Sequence, residues 1–290
     1  MNTNTETQHQ LIATCWTTAG NVAPGEDRPS PLSFEERVDA VAQSGWYGMG
    51  ISELDLEIIN MGIGFDAAAC CVKEAGLHHF EVELATGWWD QKDYGWREKW
   101  ELLLAASEAF DASFIKVGTD ITERTYRWED YVAPLQAIAH EAETVGARLA
   151  FEAFPFGRIK SIPEAANLVK AVNHEAVGLL VDYWHVFRAG TTLEKLKNSI
   201  AEVPVWGVEL CDGPLLPVAA TTMFEETRDF RELPGQGEQD VAGFVKVLRD
   251  VGYRGPWGVE VLSAIHRQRP LPALLEEARA AAEAVLETFE

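Results

Sequence analysis

No apolar run in the 290-residue sequence approaches the roughly 18 to 20 residues of a membrane span. Positive charge is scarce: 24 lysines and arginines stand against 46 aspartates and glutamates, for a formal net charge of -22. A field of that sign repels phosphate backbones and anionic bilayers, and no basic patch interrupts it. Neither a nucleic acid nor a membrane is therefore an expected partner. Cysteines number four, Cys15, Cys70, Cys71 and Cys211, and none has the paired spacing of a zinc knuckle. Reduced thiols in a cytoplasmic protein are the expectation. No strand candidate runs into a GxGxxG phosphate loop, because Gly235 and Gly237 sit in a long loop where a tight turn accounts for them. A long Ser/Gly/Pro linker is missing as well, so one domain is expected over residues 11–290. Residues 1–10 are polar, lack a secretory pattern and read as a short disordered lead.

Apolar residues make up 47% of the chain, enough for a substantial core. They fall in short runs separated by longer helical stretches. The runs are Ile12–Trp16, Tyr47–Ser52, Phe80–Leu84, Ser113–Val117, Arg148–Ala153, Gly178–Asp182, Val205–Leu210 and Gly258–Leu262. Helical patterns follow near 33–42, 65–75, 96–110, 131–145, 163–172, 192–199, from about 240, and over 271–286. Eight strand–helix pairs in this length predict an α/β fold, a single (β/α)8 TIM barrel, over the competing doubly wound sheet.

Such a barrel carries its chemistry at the C-terminal ends of the strands. Four neighbouring runs in the second half end in, or close to, a carboxylate: Glu152, Asp182, Glu209 and Glu260. One acid there commonly caps the next helix. Four together concentrate like charge in a buried place, with too few cations nearby to balance it. A divalent cation relieves that repulsion, and an all-oxygen donor set favours Mg2+ or Mn2+. Asp212, three residues after Glu209, is an alternative ligand or a group that orients one.

His185 follows Asp182 by three residues, in a loop above the expected metal, where it can hydrogen-bond a substrate oxygen. Lys116, in the fourth run, and Arg231, before the Gly-x-Gly segment, are the cationic candidates for substrate binding. Glu81 and Glu83 share a face of the third run, with one or both reaching the cavity, and Glu53 ends the second. Ten tryptophans crowd the loops, among them Trp16, Trp88, Trp89 and Trp184. Flat apolar walls above a carboxylate ring suit a sugar or cyclitol. Trp16 and Trp88 are the candidates for stacking on it.

With these residues in view the sequence resembles the sugar-phosphate isomerase/epimerase superfamily, the xylose-isomerase-like barrels. The likeness is carried by "FEAFPFG", "LLVDYWH", "GVELCDG", "LPGQGEQD" and "WGVEVLS". It implies a divalent metal on Glu152, Asp182 and Glu260, substrate contact by His185, and a loop arginine at Arg231. The fourth ligand of the superfamily is usually a histidine, and Glu209 stands in its place here. The resemblance implies a metal-dependent isomerase or epimerase of a keto-sugar or related polyol. Glu152 and Glu260 would exchange the proton, with His185 as the third catalytic group. A dehydratase or lyase acting on a keto-cyclitol or 3-keto-glycoside is the alternative, and a non-catalytic polyol-binding or partner subunit a second one. Homodimers or homotetramers are common in the superfamily. The shortage of Lys and Arg near the rim points to an unphosphorylated substrate.

Overall fold

The computed structural model describes residues 9–90, 92, 94–122 and 127–288. Eight short strands form a closed parallel barrel in sequential order. They are β1 (Leu11–Ala13), β2 (Gly48–Ser52), β3 (His79–Ala85), β4 (Phe114–Val117), β5 (Leu149–Glu152), β6 (Val177–Asp182), β7 (Val205–Leu210) and β8 (Trp257–Val259). Closure comes from β1 pairing β8 in parallel, with Ile12 opposite Gly258. Helices cover the outside, and a continuous apolar core fills the space between them and the sheet. Strands buried on both faces are written as near-continuous apolar runs, which is why the sequence shows them as blocks. Residues 9 and 10 lead into β1; the rest of the expected lead, 1–8, lies outside the described residues.

Serine and threonine caps position several helices. Ser33 accepts a hydrogen bond from the Glu36 amide and starts the helix Phe34–Gln43; Thr192 does the same for Leu193–Ile200. The first strand is shorter than expected. The chain turns at Thr14 and forms a helical turn over Cys15–Thr18, because the Thr14 and Thr17 hydroxyls both donate to the carbonyl of Val259 at the end of β8. Helices over Glu53–Met61, Tyr183–Arg188 and Met223–Asp229 also escape the sequence reading. Two of them, Tyr183–Arg188 and Met223–Asp229, are under eight residues long, too short to show a sustained period. All four cysteines are free thiols, Cys15 and Cys211 buried. No helix of the described residues is long and apolar enough to cross a membrane.

A matched pair braces the segments that follow β1 and β2. The Arg37 guanidinium, 1% exposed, donates to Asp55 at 2.5 Å and to the Thr18 hydroxyl at 2.7 Å. The second Asp55 oxygen accepts from the Ser30 amide at 2.7 Å. One cation and one anion thus tie the first helical turn, the following loop and two helices together.

Candidate active site

At the C-terminal end of the barrel the strands deliver five buried carboxylates to one place. Glu83 comes from β3, Glu152 from β5, Asp182 from β6 and Glu209 from β7, and Glu260 follows β8 directly. Asp182 and Glu209 lie in register across neighbouring strands. Glu209 needs space beside β8, and Gly258 provides it: a Cβ there would lie 3.2 Å from the Glu209 Cγ and 2.6 Å from the Val208 carbonyl oxygen.

Two buried cations meet these acids. Lys116, from β4, places its Nζ 2.6 Å from Glu209, 2.7 Å from Glu83 and 3.3 Å from Glu260. Arg231 places Nη1 2.6 Å from Asp182 and 3.1 Å from Glu260, while Nε and Nη2 donate to the carbonyl and hydroxyl of Thr227. Burial alone would lower the lysine, but Glu209, Glu260 and Glu83 hold its ammonium well above the ordinary lysine range. Burial raises the carboxyl groups in turn. Glu83 is pushed up to about 7 despite Lys116, and Glu152 and Glu209 are driven well above the carboxylate range, with Glu260 adding repulsion to both.

The spacing of Asp182 and His185 has a local cause. Asp182 is the N-cap of the helix Tyr183–Arg188 and accepts the His185 amide hydrogen at 3.1 Å, which swings the imidazole over the pocket. There His185 Nε2 lies 3.4 Å from Glu152 and 3.5 Å from an Arg231 nitrogen. Burial, then the charge of Arg231, lowers the imidazole well below its usual range, so the ring is neutral at pH 7. Its faces pack edge-on against Phe154 and Phe156, and Phe156 meets Phe224 in the same fashion. These aromatics, with Trp16 and Trp89, wall a cavity of about 610 Å³. Glu83, Lys116, Glu152, His185, Arg231 and Glu260 face into it, and Asp182 and Glu209 sit behind them, each 1% exposed.

Several expected residues stand elsewhere. Trp88 does not line the cavity. It is completely buried in the core, donates its indole N–H to the Gly118 carbonyl and packs edge-on against Tyr131 and Phe151. Its neighbour Trp89 takes the cavity position, since adjacent residues point to different sides of the turn. Glu81 binds His79 near the start of β3, which leaves Glu83 as the member of that pair in the cavity. Glu53 opens a helix instead of ending β2, and still reaches the rim. Asp212 clamps loops: its Oδ1 accepts from the amides of Gly213 and Gln239. A Cβ at Gly237 would lie 2.4 Å from that oxygen, which explains the second glycine of the Gly-x-Gly segment without any phosphate.

Whether these residues suit a divalent cation can be judged from their charge and donors. With all five carboxylates ionised, Lys116 and Arg231 leave three negative charges unmatched in a low-dielectric pocket. Glu209 Oε2 is buried without a hydrogen-bond partner. Ligand atoms of Glu152, Asp182 and His185 lie within 4.8 Å of one another, and those of Glu83, Glu209 and Glu260 form a second such group. The donor set fits a divalent ion. A third group, His140, Glu143 and His174 on the outer surface, does not: His174 Nδ1 accepts the Ala176 amide, so in the neutral ring Nε2 keeps its hydrogen and points it at His140.

Comparison with known proteins agrees with this architecture. A family model described as xylose isomerase-like TIM barrel matches residues 56–285. A 3-dehydroshikimate dehydratase of Pseudomonas putida is 32% identical over 143 residues, which is 48% of this chain and 21% of that protein. An inosose isomerase of Bacillus licheniformis is 28% identical over 147 residues, 49% of this chain and 51% of the relative. The chain therefore matches about half, or less, of the length of these curated relatives. Among solved structures, the IolI protein with a bound zinc atom superposes with a TM-score of 0.79 at 18% identity, over 97% of this chain and 99% of that one. At that identity the likeness is one of fold.

Proposed function

The chain belongs to the xylose isomerase-like TIM barrel family, and on that premise we propose that it moves a proton at the carbon beside a carbonyl, as an isomerase or epimerase of a keto-sugar or related polyol. The observation that carries this reading is the placement of two glutamates, Glu152 at the end of β5 and Glu260 just after β8, in one aromatic-walled cavity with fixed cations beside them. Glu260 takes the proton and Glu152 returns one, or the reverse for the opposite stereoisomer. Lys116 and Arg231 hold positive charge near the place where negative charge develops on the substrate oxygens, and they are oriented before the substrate arrives. The neutral His185 orients a substrate hydroxyl or carbonyl. Trp16, Trp89 and the phenylalanines cover the C–H faces of the ring and exclude water.

Glu152, Asp182, Glu209 and Glu260 would hold a divalent cation, for which an oxygen-rich site suits Mg2+ or Mn2+. When bound, such an ion supplies Lewis-acid polarisation of the carbonyl. The acid-rich rim favours an unphosphorylated substrate, since Glu53 and Asp120 line the same cavity.

A second reading, elimination of water from a keto-cyclitol or a related hydroxy-ketone, is favoured by the dehydratase relative at 32% identity. Both readings begin with the same proton. They are tested together by incubating the purified protein, supplied with Mn2+, with ketoses, inososes, 3-dehydroshikimate and 3-keto-glycosides in D2O. Deuterium at the carbon next to the carbonyl, lost in Glu152→Gln and Glu260→Gln, is the expected result. Retained carbon skeleton and oxygens then indicate isomerisation, and a new conjugated double bond indicates elimination. Absence of exchange with every substrate class would sink both.

A further inference from the structure

We propose that Lys116 is a built-in cation that claims Glu209, so that a divalent ion in this pocket is held without Glu209 as a ligand. The inference rests on the metal reading above and changes its donor set.

The lysine ammonium carries three hydrogens and meets three carboxylates, of which Glu209 is the nearest at 2.6 Å. Nothing about this contact is loose. Lys116 is 2% exposed and Glu209 1%, and the two reach each other from β4 and β7 across the barrel. A buried ammonium without its acids is costly, so the pair is fixed by mutual need. The charge balance points the same way. The glutamate adds one negative charge, and Lys116 returns one positive charge 2.6 Å away. The pair together is neutral, and four carboxylates, Glu83, Glu152, Asp182 and Glu260, remain against one further cation, Arg231, which is the excess a divalent ion offsets. Gly258 leaves the room beside this side chain, since a Cβ there would lie 3.2 Å from the Glu209 Cγ. The second oxygen, Glu209 Oε2, has no hydrogen-bond partner, and it becomes a ligand once the lysine no longer holds its twin.

The test uses Co2+ as the probe, because its visible absorption reports ligand number and type, together with Mn2+ affinity by calorimetry. The proteins are wild type, Lys116→Met, the double variant Lys116→Met/Glu209→Leu, and Glu152→Gln as the control for the pocket. The double variant replaces a buried ion pair by two apolar side chains of similar size, and it keeps the comparison open where the single lysine variant fails to fold. The expected result is a wild-type Co2+ spectrum that superposes on that of the double variant. Lys116→Met alone shows a changed spectrum and binds Mn2+ at least about tenfold tighter, because a freed carboxylate joins the ion. A wild-type spectrum that differs from the double variant, with Mn2+ affinity at least about tenfold weaker in the double, makes Glu209 a ligand and overturns the inference while the metal reading stands. Failure of wild type and every folded variant to take up either ion overturns both. Binding that survives unchanged in Glu152→Gln moves the ion out of this pocket and overturns both as well.

Discussion

Two groups of buried charge in this barrel obey opposite rules. Arg37 and Asp55 form a matched pair near the first helix, one cation on one anion, with the second Asp55 oxygen taken up by the Ser30 amide and Arg37 Nη2 by the Thr18 hydroxyl. In the second group, just above the strand ends at the cavity, five carboxylates share two cations, and Glu209 is left with a buried oxygen that has no hydrogen-bond partner. The first arrangement is balanced in charge by the polypeptide alone and serves to hold segments together. The second is incomplete in charge and open to a cavity, which is the condition for binding a ligand and for acid–base chemistry. Burial of charge is the same in both; the balance differs.

Substitutions can break or sharpen that contrast. The largest effect is expected from Glu260→Gln or Glu152→Gln, which remove a proton-transfer group: kcat should fall by about 10²- to 10⁴-fold, with the melting temperature held or raised because excess charge is removed. Arg37→Met should act in the reverse sense. Leaving Asp55 buried and unpaired costs about 3–5 kcal/mol, read as a shifted urea midpoint, while Co2+ binding by the folded protein stays as in wild type. Loss of metal binding in Arg37→Met at a concentration where the protein remains folded would erase the distinction between the two groups.

A smaller effect is expected from pH. The Glu83 carboxyl is pushed up to about 7 from an ordinary value of 4.5 by burial, with Glu260 adding to the rise. A raised acid binds its proton more tightly in the folded chain, so its contribution is fully present below about 4.5 and is lost as the pH rises through about 7. The melting temperature of metal-free protein should therefore fall between about pH 5 and 7.5, and fall less in Glu83→Gln. An identical slope in the two proteins would show that Glu83 is not the titrating group. The smallest effect is at the aromatic wall. Phe156→Ala removes a contact to His185 and should raise KM by a few-fold, about 1 kcal/mol, with a lesser change in kcat. An equal loss in kcat would make Phe156 a positioning residue for the imidazole.

Much of the second group is legible in the sequence. Glu152 and Asp182 close apolar strands, Glu209 stands one residue before the end of another, and Glu260 follows a fourth, so strand periodicity and chemistry point to the same residues. The Asp182-to-His185 spacing is readable too, since a cap and its third residue are neighbours. Contacts between distant strands are another matter. Nothing local tells whether Lys116 faces the helix layer or the acids, because that depends on the closure of the barrel. The matched pair of Arg37 and Asp55 left no sequence signal for the same reason. Trp88 and Trp89 show the limit at single-residue scale: two identical neighbours, one in the core and one on the cavity, are separated by the turn that follows β3. Helices as short as Tyr183–Arg188 and Met223–Asp229 leave no readable signal because too few residues repeat to reveal a period.

The direct test of the account is the metal content of the protein after loading with Mn2+ and dialysis, for wild type and for a Glu152→Gln/Asp182→Asn double variant. The unmatched carboxylates predict about one ion per chain in wild type and none in the double variant, with both proteins folded. An ion-free wild type, or equal content in the two, would contradict the claim that this pocket is a cation site.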